Sequence, residues 1–170
     1  TSIDQLKIFN PSVIIICVPT PMKNDGSQND SIVENVINEI KINFKDVTVI
    51  LKSTVLPNSL NLLNNLYPIV YNPEFLRERH AYDDMVNSKL NILAGDTKIC
   101  EKAKDFFVKY TNMKSKDFIF TDLVTGSLVK YALNTFMATK VLYFNQMNDL
   151  YNSLNPSSTW EEFISILSLD

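Results

Sequence analysis

The sequence predicts an α/β fold in which a mainly parallel sheet is followed by a long α-helix. Short apolar runs of strand length alternate with segments of helical period, which is typical of successive strand–helix–strand units. From Asp122 to about Ser153 the chain then contains no proline and one glycine near the start, which predicts a single helix about 45–50 Å long. We therefore divide the chain into a sheet domain, residues 1–121, and a helical segment, residues 122–170.

The first half of the chain contains three predicted strands. Residues 1–10 have the pattern of the end of a polar helix. Val13–Val18 is apolar and rich in β-branched residues, which indicates a fully buried strand that ends at Pro19-Thr20-Pro21. Asp30 and Ser31 are suitable N-caps for a helix that continues to about Asn43. A strand, a helix opened by proline and another strand follow: Val47–Leu51, Pro57 to about Leu66, and Ile69–Tyr71.

The second half begins with a mixed loop through Tyr82-Asp83-Asp84. A strand, an amphipathic helix and a short strand are predicted after it: Lys89–Ala94, Ile99–Tyr110 and Asp117–Phe120. Beyond the long helix, a final short helix is predicted from Ser157 or Ser158 to about Leu167.

Composition excludes several classes of protein. The 170 residues are 45% apolar and 21% charged, which is typical of a soluble globular protein. The net charge is −3 and the lysines are scattered among acidic residues, so we expect no nucleic acid partner. The longest apolar run, Val13–Val18, is far too short to span a membrane, and no signal-peptide pattern precedes it. We expect a cytoplasmic protein that does not bind membranes.

Cysteine, histidine and glycine are too few for several kinds of site. Cys17 lies in a predicted strand and Cys100 opens a charged helix, and neither has the neighbours that mark a reactive thiolate. We expect Cys17 to be buried and inert. His80 has no cysteine or second histidine nearby, so no metal site is expected. With three glycines in the whole sequence, the chain contains no glycine-rich phosphate-binding loop.

The stretch Asn72–Glu78, Asn-Pro-Glu-Phe-Leu-Arg-Glu, holds more polar chemistry than any other window of the chain. It follows a predicted strand, and open α/β sheets bind ligands beyond the carboxyl ends of their strands. If the residues after Pro73 form a helix, Glu74 and Glu78 lie on one face of it and could line a cleft. The alternative is a solvated first turn of a helix, where glutamate is electrostatically favoured.

Other polar groups stand at strand ends or on the long helix. Thr20 follows the first strand, and Ser53 with Thr54 follows the second. Because the carboxyl ends of parallel strands meet at one edge of a sheet, we expect these residues to converge with the two glutamates. Lys130 and Asn134 are four residues apart, hence on one face of the long helix, where they interrupt an apolar side.

The ordered motifs of the chain resemble those of the UDP-glucose/GDP-mannose dehydrogenases. The resemblance runs from about residue 11 to the end of the chain. It rests on motifs in the family's order and spacing: Val18-Pro-Thr-Pro21, Lys52-Ser-Thr-Val-Leu-Pro57, Asn72–Glu78, Ala81 with Asp83-Asp84, Thr121-Asp122 and Lys130-Tyr-Ala-Leu-Asn134. It implies an incomplete Rossmann-like NAD-binding domain joined to a central dimerisation helix.

The resemblance also implies an activity and a set of site residues. The activity is a four-electron oxidation of the primary alcohol of a nucleotide sugar, UDP-glucose or a related compound, to a carboxylate with two NAD. Four positions match the residues that hold the catalytic water, assist proton transfer and stabilise an oxyanion: Thr54, Glu74, Lys130 and Asn134. Four positions match contacts to NAD: Thr20, Pro21, Ser53 and Glu78. Backbone contacts to the sugar nucleotide match Phe75 and Leu76.

The chain also departs from the family pattern. The family's nucleophilic cysteine lies in a glycine-rich segment beyond the central helices, and neither Cys17 nor Cys100 matches it. The glycine-rich turn and the sugar-nucleotide-binding C-terminal domain are not matched either. Ser127 stands where the family usually has a glutamate, and Arg79 where it commonly has a glycine. We therefore expect the isolated chain to be catalytically inactive, with NAD binding weakened or lost.

Two alternatives to an enzyme stay open on the sequence. The chain could be a non-catalytic binding fragment that forms a homodimer through the long helix, since such a helix overhangs a small sheet and needs a surface for its apolar side. It could also be one part of a split enzyme whose other part is a complementary chain.

Overall fold

The computed structural model describes residues 3–169, apart from the side chain of Asp4. Seven helices and five strands of this part of the chain follow in order: α1 (Ile3–Phe9), β1 (Val13–Ile16), α2 (Ser31–Asn43), β2 (Thr48–Leu51), α3 (Pro57–Leu66), β3 (Ile69–Tyr71), α4 (Ala81–Val86), β4 (Ile92–Ala94), α5 (Thr97–Tyr110), β5 (Ile119–Thr121), α6 (Leu123–Ser153) and α7 (Trp160–Leu167). A short 3-10 helix, Glu78–His80, precedes α4. The chain forms two compact units, Thr1–Lys130 and Tyr131–Asp170, and the division falls within α6.

The strands form one sheet whose spatial order equals their chain order, β1-β2-β3-β4-β5. β1, β2 and β3 are parallel, β4 runs antiparallel to β3, and β5 is parallel to β4. The antiparallel step arises because the chain leaves the carboxyl end of β3 and enters β4 from that same end, without a crossover. The predicted α/β fold, with a mainly parallel sheet followed by a long helix, is confirmed.

Residues of the central strands alternate between two hydrophobic cores. In β2, Val49 and Leu51 belong to one core and Ile50 to the other, because successive side chains of a strand point to opposite faces. Residues of α2, of α3 and of the start of α6 complete the first core. Residues of α5 complete the second. Helices therefore cover both faces, and polar groups of the sheet are left at the strand ends.

The prediction that the first strand is fully buried and extends to Val18 was wrong. β1 ends at Ile16, and Ile16 is its single buried residue, whereas Ile15 is 40% exposed. The reason is topological, since β1 is an edge strand with β2 as its one neighbour in the described sheet. β5, at the opposite edge, is likewise only partly buried, and Ile119 is 54% exposed.

The start of α6 packs closely on the sheet. A Cβ at Gly126 would lie 2.6 Å from the Cβ of Ala94 in β4 and 3.5 Å from the ring of Tyr71 in β3. One residue further on, the buried hydroxyl of Ser127 donates a hydrogen bond to the Val55 carbonyl at 2.7 Å. The missing side chain at position 126 therefore sets how near the helix lies to the strands.

The second unit contains the rest of α6 and α7. The ring of Tyr151 in α6 lies 5.0 Å from that of Phe163 and 5.6 Å from that of Trp160, both in α7. Thr159 and Glu162 cap α7 reciprocally, each side chain accepting a hydrogen bond from the other's backbone amide. None of the helices within residues 3–169 combines the length and the apolar character needed to cross a membrane.

Candidate active site

The carboxyl ends of β1, β2 and β3 meet at one edge of the sheet, as parallel strands must. They surround an open cleft of about 340 Å³. Its lining comes from the residues that directly follow the three strands: Cys17, Val18, Pro19, Thr20, Lys52, Ser53, Thr54 and Glu74. The predicted convergence at this edge is confirmed for Thr20, Ser53, Thr54 and Glu74, but not for Glu78, which lies outside the lining.

The hydroxyl groups at the cleft join the end of β1 to the end of β2. Ser53 Oγ donates to the Val18 carbonyl at 2.7 Å and accepts from the Val18 amide at 2.9 Å. Thr20 Oγ1 donates to the Thr54 carbonyl at 2.9 Å. Both hydroxyl protons are thus used within the protein, and what remains available to a ligand is the second lone pair of each oxygen and the backbone. Pro21 is exposed beside them.

Gln28 is a residue of this edge that sequence reasoning missed. Its Nε2 donates to the Thr54 carbonyl at 2.9 Å, and its Oε1 accepts from the Leu56 amide at 3.0 Å. The side chain therefore fixes the turn after β2 from a loop that is far away in the sequence. A single glutamine in a polar loop carries no periodic or spacing signal by which it could have been found.

The residues after Pro73 are not helical, so Glu74 and Glu78 do not share a helix face. Residues 72–77 have no regular structure, and the 3-10 helix begins at Glu78. Arg77 is extended, with φ −81° and ψ 128°. The α-helix after this segment begins at Ala81, so that Tyr82-Asp83-Asp84, predicted as loop, lies in α4. Glu74 lines the cleft, whereas Glu78 is exposed outside its lining.

Arg77 and Asp84 hold the extended segment in place. The guanidinium donates two hydrogen bonds to the carboxylate, from Nε at 3.0 Å and from an Nη at 2.7 Å, and the Arg77 amide donates a third at 2.8 Å. These hydrogen bonds are incompatible with an α-helix that starts at Pro73, because they require an extended Arg77. The same bonds lower the pKa of Asp84 to about 2.

We expect the stabilisation by Asp84 to disappear in acid. A carboxyl whose pKa is lowered on folding contributes stability that is fully present above its ordinary pKa, near 4, and is lost as the pH falls. For Asp84 the loss ends near the folded-state pKa of about 2. Urea unfolding of Asp84→Asn and of the native sequence should therefore differ at neutral pH and converge in acid. Asp105→Asn, on the exposed side of α5, is the control, and a difference independent of pH would contradict this assignment.

Phe75 and Leu76 follow Glu74 and are half-buried. They line a second, much smaller cavity of about 30 Å³ beneath the extended segment, together with residues of α4 and α5 and of the segments that precede β4 and β5. The Phe75 ring lies 5.4 Å from Lys130 Nζ, within the range of a cation–π contact.

Lys130, at the end of the first unit, is buried and donates a hydrogen bond to the Glu74 backbone carbonyl. Burial lowers the pKa of Lys130, and the Glu74 carboxylate opposes this effect. The structure therefore brings together two of the predicted catalytic residues that are far apart in the sequence. Asn134 lies one helical turn further along α6, in the second unit, and is exposed.

Cys17 is exposed and lines the cleft, so the prediction of a buried cysteine was wrong. β1 ends before residue 17, and the thiol stands on the rim of the sheet. Partial shielding from water is the largest effect on this group and raises its pKa, while Lys52 lowers it and Glu74 raises it. Cys100 is buried in α5, where burial raises its pKa to about 11.

Comparison with known proteins agrees with this fold. The NAD binding domain of the UDP-glucose/GDP-mannose dehydrogenase family matches residues 1–111. UDP-glucose 6-dehydrogenases of Rickettsia bellii and Rickettsia conorii are 33% and 35% identical to the chain over 159 residues, which is 88% of the chain and 36% of each relative. The chain thus spans little more than a third of the length of these relatives.

Solved structures show the same fold. A GDP-mannose dehydrogenase from Pseudomonas aeruginosa superposes with a TM-score of 0.80 at 23% identity, over 94% of this chain and 39% of that one. A UDP-N-acetyl-mannosamine dehydrogenase from S. aureus superposes with a TM-score of 0.67 at 27% identity, over 85% of this chain and 38% of that one. The family match and the fold together place the chain in the class of NAD binding domains of dehydrogenases. The chain belongs to the UDP-glucose/GDP-mannose dehydrogenase family.

Proposed function

We propose that this chain forms one wall of a nucleotide-sugar dehydrogenase site, which oxidises a primary alcohol to a carboxylate with NAD. The observation that carries the proposal is the cleft at the ends of β1, β2 and β3, with Lys130 hydrogen-bonded to the segment that contains Glu74. The family relationship supports it, and the UDP-glucose 6-dehydrogenases among the relatives favour UDP-glucose or a related sugar nucleotide as substrate.

Four residues take catalytic roles in this proposal. Lys130 and Asn134 supply a cation and an amide donor for an oxyanion. The Lys130 ammonium is suited to this role because it is buried, where a charge acts in a medium of low dielectric constant. Thr54 and Glu74, both at the cleft, hold a water and move a proton. Glu74 is exposed at the cleft, so its carboxylate can be reached from solvent.

The cleft fits part of a dinucleotide. Thr20, Pro21 and Ser53 lie at or beside its rim and would hold NAD chiefly through backbone groups, because both hydroxyl protons are used within the protein. Glu78 would contact it from the 3-10 helix beyond the extended segment. When bound, NAD supplies the hydride acceptor. The 170 residues contain no glycine-rich turn for a pyrophosphate, so we expect NAD to bind weakly.

Calorimetric titration of the chain with NAD+ and, separately, with UDP-glucose and GDP-mannose tests this function. We expect NAD+ to bind, and Thr20→Val to weaken it by about three- to tenfold, because the variant loses the hydrogen bond that joins the ends of β1 and β2. Thr139→Val, an exposed threonine of α6 in the second unit, is the matched control. Absence of binding by all three ligands, or equal NAD+ affinity of the two variants, would count against the proposal.

Catalytic oxidation of a sugar nucleotide is not expected of this chain alone. Its two cysteines are poorly suited to nucleophilic catalysis, since the thiol pKa is raised at both Cys17 and Cys100. We infer that these 170 residues do not oxidise UDP-glucose unaided. Production of NADH above background by the purified chain would refute this inference.

A second candidate function is supported by the second unit. Large apolar side chains of α6 are exposed there, among them Phe136 (60%), Met137 (57%) and Val141 (60%). An apolar helical surface of this kind marks a protein interaction site. This surface supports a non-catalytic module that forms a homodimer, or one part of a split enzyme that binds a complementary chain. A monomeric mass by light scattering, unchanged in Val141→Glu, would exclude the homodimer.

A further inference from the structure

Lys52 is a charged residue of the cleft to which the family resemblance assigns no role. It directly follows β2 and precedes Ser53 and Thr54 in the sequence. Its side chain lines the open cleft and also the smaller cavity beneath the extended segment, and Glu74 lines both as well. The ammonium therefore stands between the two spaces, beside the segment that carries the proposed catalytic carboxylate.

Hydrogen bonds connect Lys52 to the start of that segment. Lys52 Nζ donates to Asn72 Oδ1 at 2.9 Å, and Asn72 Nδ2 donates to the Ile92 carbonyl at 2.7 Å. The Asn72 amide itself donates to the Leu51 carbonyl at 2.9 Å. Asn72 is only 7% exposed, so its side-chain amide is fixed in one orientation, with the oxygen towards the ammonium. The end of β2 is thereby tied to β4 through the first residue of the segment.

The charged and titratable groups that act on Lys52 come from three other elements. Cys17 stands at the end of β1, Glu74 follows β3, and Lys130 lies on α6. Burial lowers the pKa of Lys52, Glu74 and Cys17 raise it, and Lys130 lowers it. Burying an ammonium group costs free energy that an apolar side chain would not. A methionine would fill the same space without this cost, but it would lack the hydrogen bond to Asn72 and the positive charge.

We propose that Lys52 is a positioning residue of the dehydrogenase site, which holds the Glu74 segment at the cleft through Asn72 and attracts the Glu74 carboxylate. This proposal rests on the proposed function, because the assignment of the site to a dehydrogenase comes from there. The positioning itself is a property of this chain and can be measured without any ligand.

The first experiment is an NMR titration of the chain with isotope-labelled lysine and asparagine. As Lys52 loses its proton, the side-chain amide of Asn72 loses its charged donor, so we expect both signals to change with one midpoint. Lys130→Met should move that midpoint to higher pH, because a like charge is removed. Lys41→Met, an exposed lysine of α2, should leave it unchanged. Separate midpoints for Lys52 and Asn72 would overturn the proposal.

The second experiment compares Lys52→Met with Lys52→Arg. We expect Lys52→Met to weaken NAD+ binding by about tenfold, the effect of losing one hydrogen bond from a charged donor. Lys52→Arg keeps charge and donor and should bind within about threefold of the native chain. A purely structural lysine would not be rescued in this way, so equal losses in the two folded variants would contradict positioning.

The outcomes separate the two proposals. If the native chain binds neither NAD+ nor the two sugar nucleotides but the Lys52 and Asn72 signals titrate together, the proposed function fails and the positioning of the segment stands. If NAD+ binds and the two signals titrate apart, the function stands and the role of Lys52 is refuted. The titration of the native sequence gives this answer even if Lys52→Met does not fold.

Discussion

Replacing Gly126 by valine is expected to destabilise the sheet domain by about 1–3 kcal/mol, the cost of overpacking a core. Even a Cβ would lie 2.6 Å from the Cβ of Ala94, whereas carbon atoms in contact prefer about 3.5–4.0 Å. Neither atom is the flexible end of a long side chain, so the helix or the strand must move. The gain of helix propensity on replacing glycine, at most about 1 kcal/mol, does not offset such a displacement.

Urea unfolding measures this effect, and a second substitution tests its cause. Ala94→Gly removes the atom that the new side chain meets, so the double variant should regain part of the stability that Gly126→Val alone loses. Ala132→Val, on the exposed side of the same helix, controls for β-branching. If the single variant is as stable as the native chain, α6 does not lie against β4 as described.

The second large effect is expected at Ser127, where restoring the family's usual glutamate should cost about 3 kcal/mol or more. Ser127 is 0% exposed and its hydroxyl donates to the Val55 carbonyl. A carboxylate cannot donate that hydrogen bond and would bring a charge into the core. The introduced carboxyl group should therefore have a raised pKa when folded, and the variant should gain stability as the pH falls.

Two variants separate charge from size at this position. Ser127→Ala loses one hydrogen bond and should cost about 1 kcal/mol, while Ser127→Gln has the size of glutamate without its charge. Chemical unfolding at neutral and at acid pH compares them. A glutamate variant that is as stable as the alanine variant at neutral pH would show that position 127 has access to water.

Elements with a single dominant pattern could be predicted from the sequence. β3 was predicted with the bounds that the structure has, because Ile69–Tyr71 is an apolar run between polar or proline-containing segments and all three residues are buried. α6 was predicted to within a residue at its start, and its length was predicted because no proline or further glycine follows Gly126 within the helix. The meeting of Thr20, Ser53 and Thr54 at one edge followed from parallel strands alone.

What could not be predicted depends on contacts between distant residues. The segment after Pro73 has helix-forming residues, but the hydrogen bonds from Arg77 to Asp84 select an extended backbone. The burial of β1 depends on which strands flank it, which the composition of Val13–Val18 does not reveal. Gln28 and Lys52 enter the site through single hydrogen bonds, which leave no repeating pattern in the sequence.

The strand order has a consequence for how the site is assembled. Each strand pairs with the one before it in the chain, so the sheet can grow in sequence by closing one strand-to-strand connection at a time, at a lower entropic cost than a more distant pairing would have. The contacts from α6 are of another kind, since Ser127 bonds to Val55, 72 residues earlier, and Lys130 to Glu74, 56 residues earlier. We expect the strands that surround the cleft to fold first, and Lys130 of α6 to pack against Glu74 last. Slow docking of this helix would then delay the appearance of a binding-competent state without delaying the sheet.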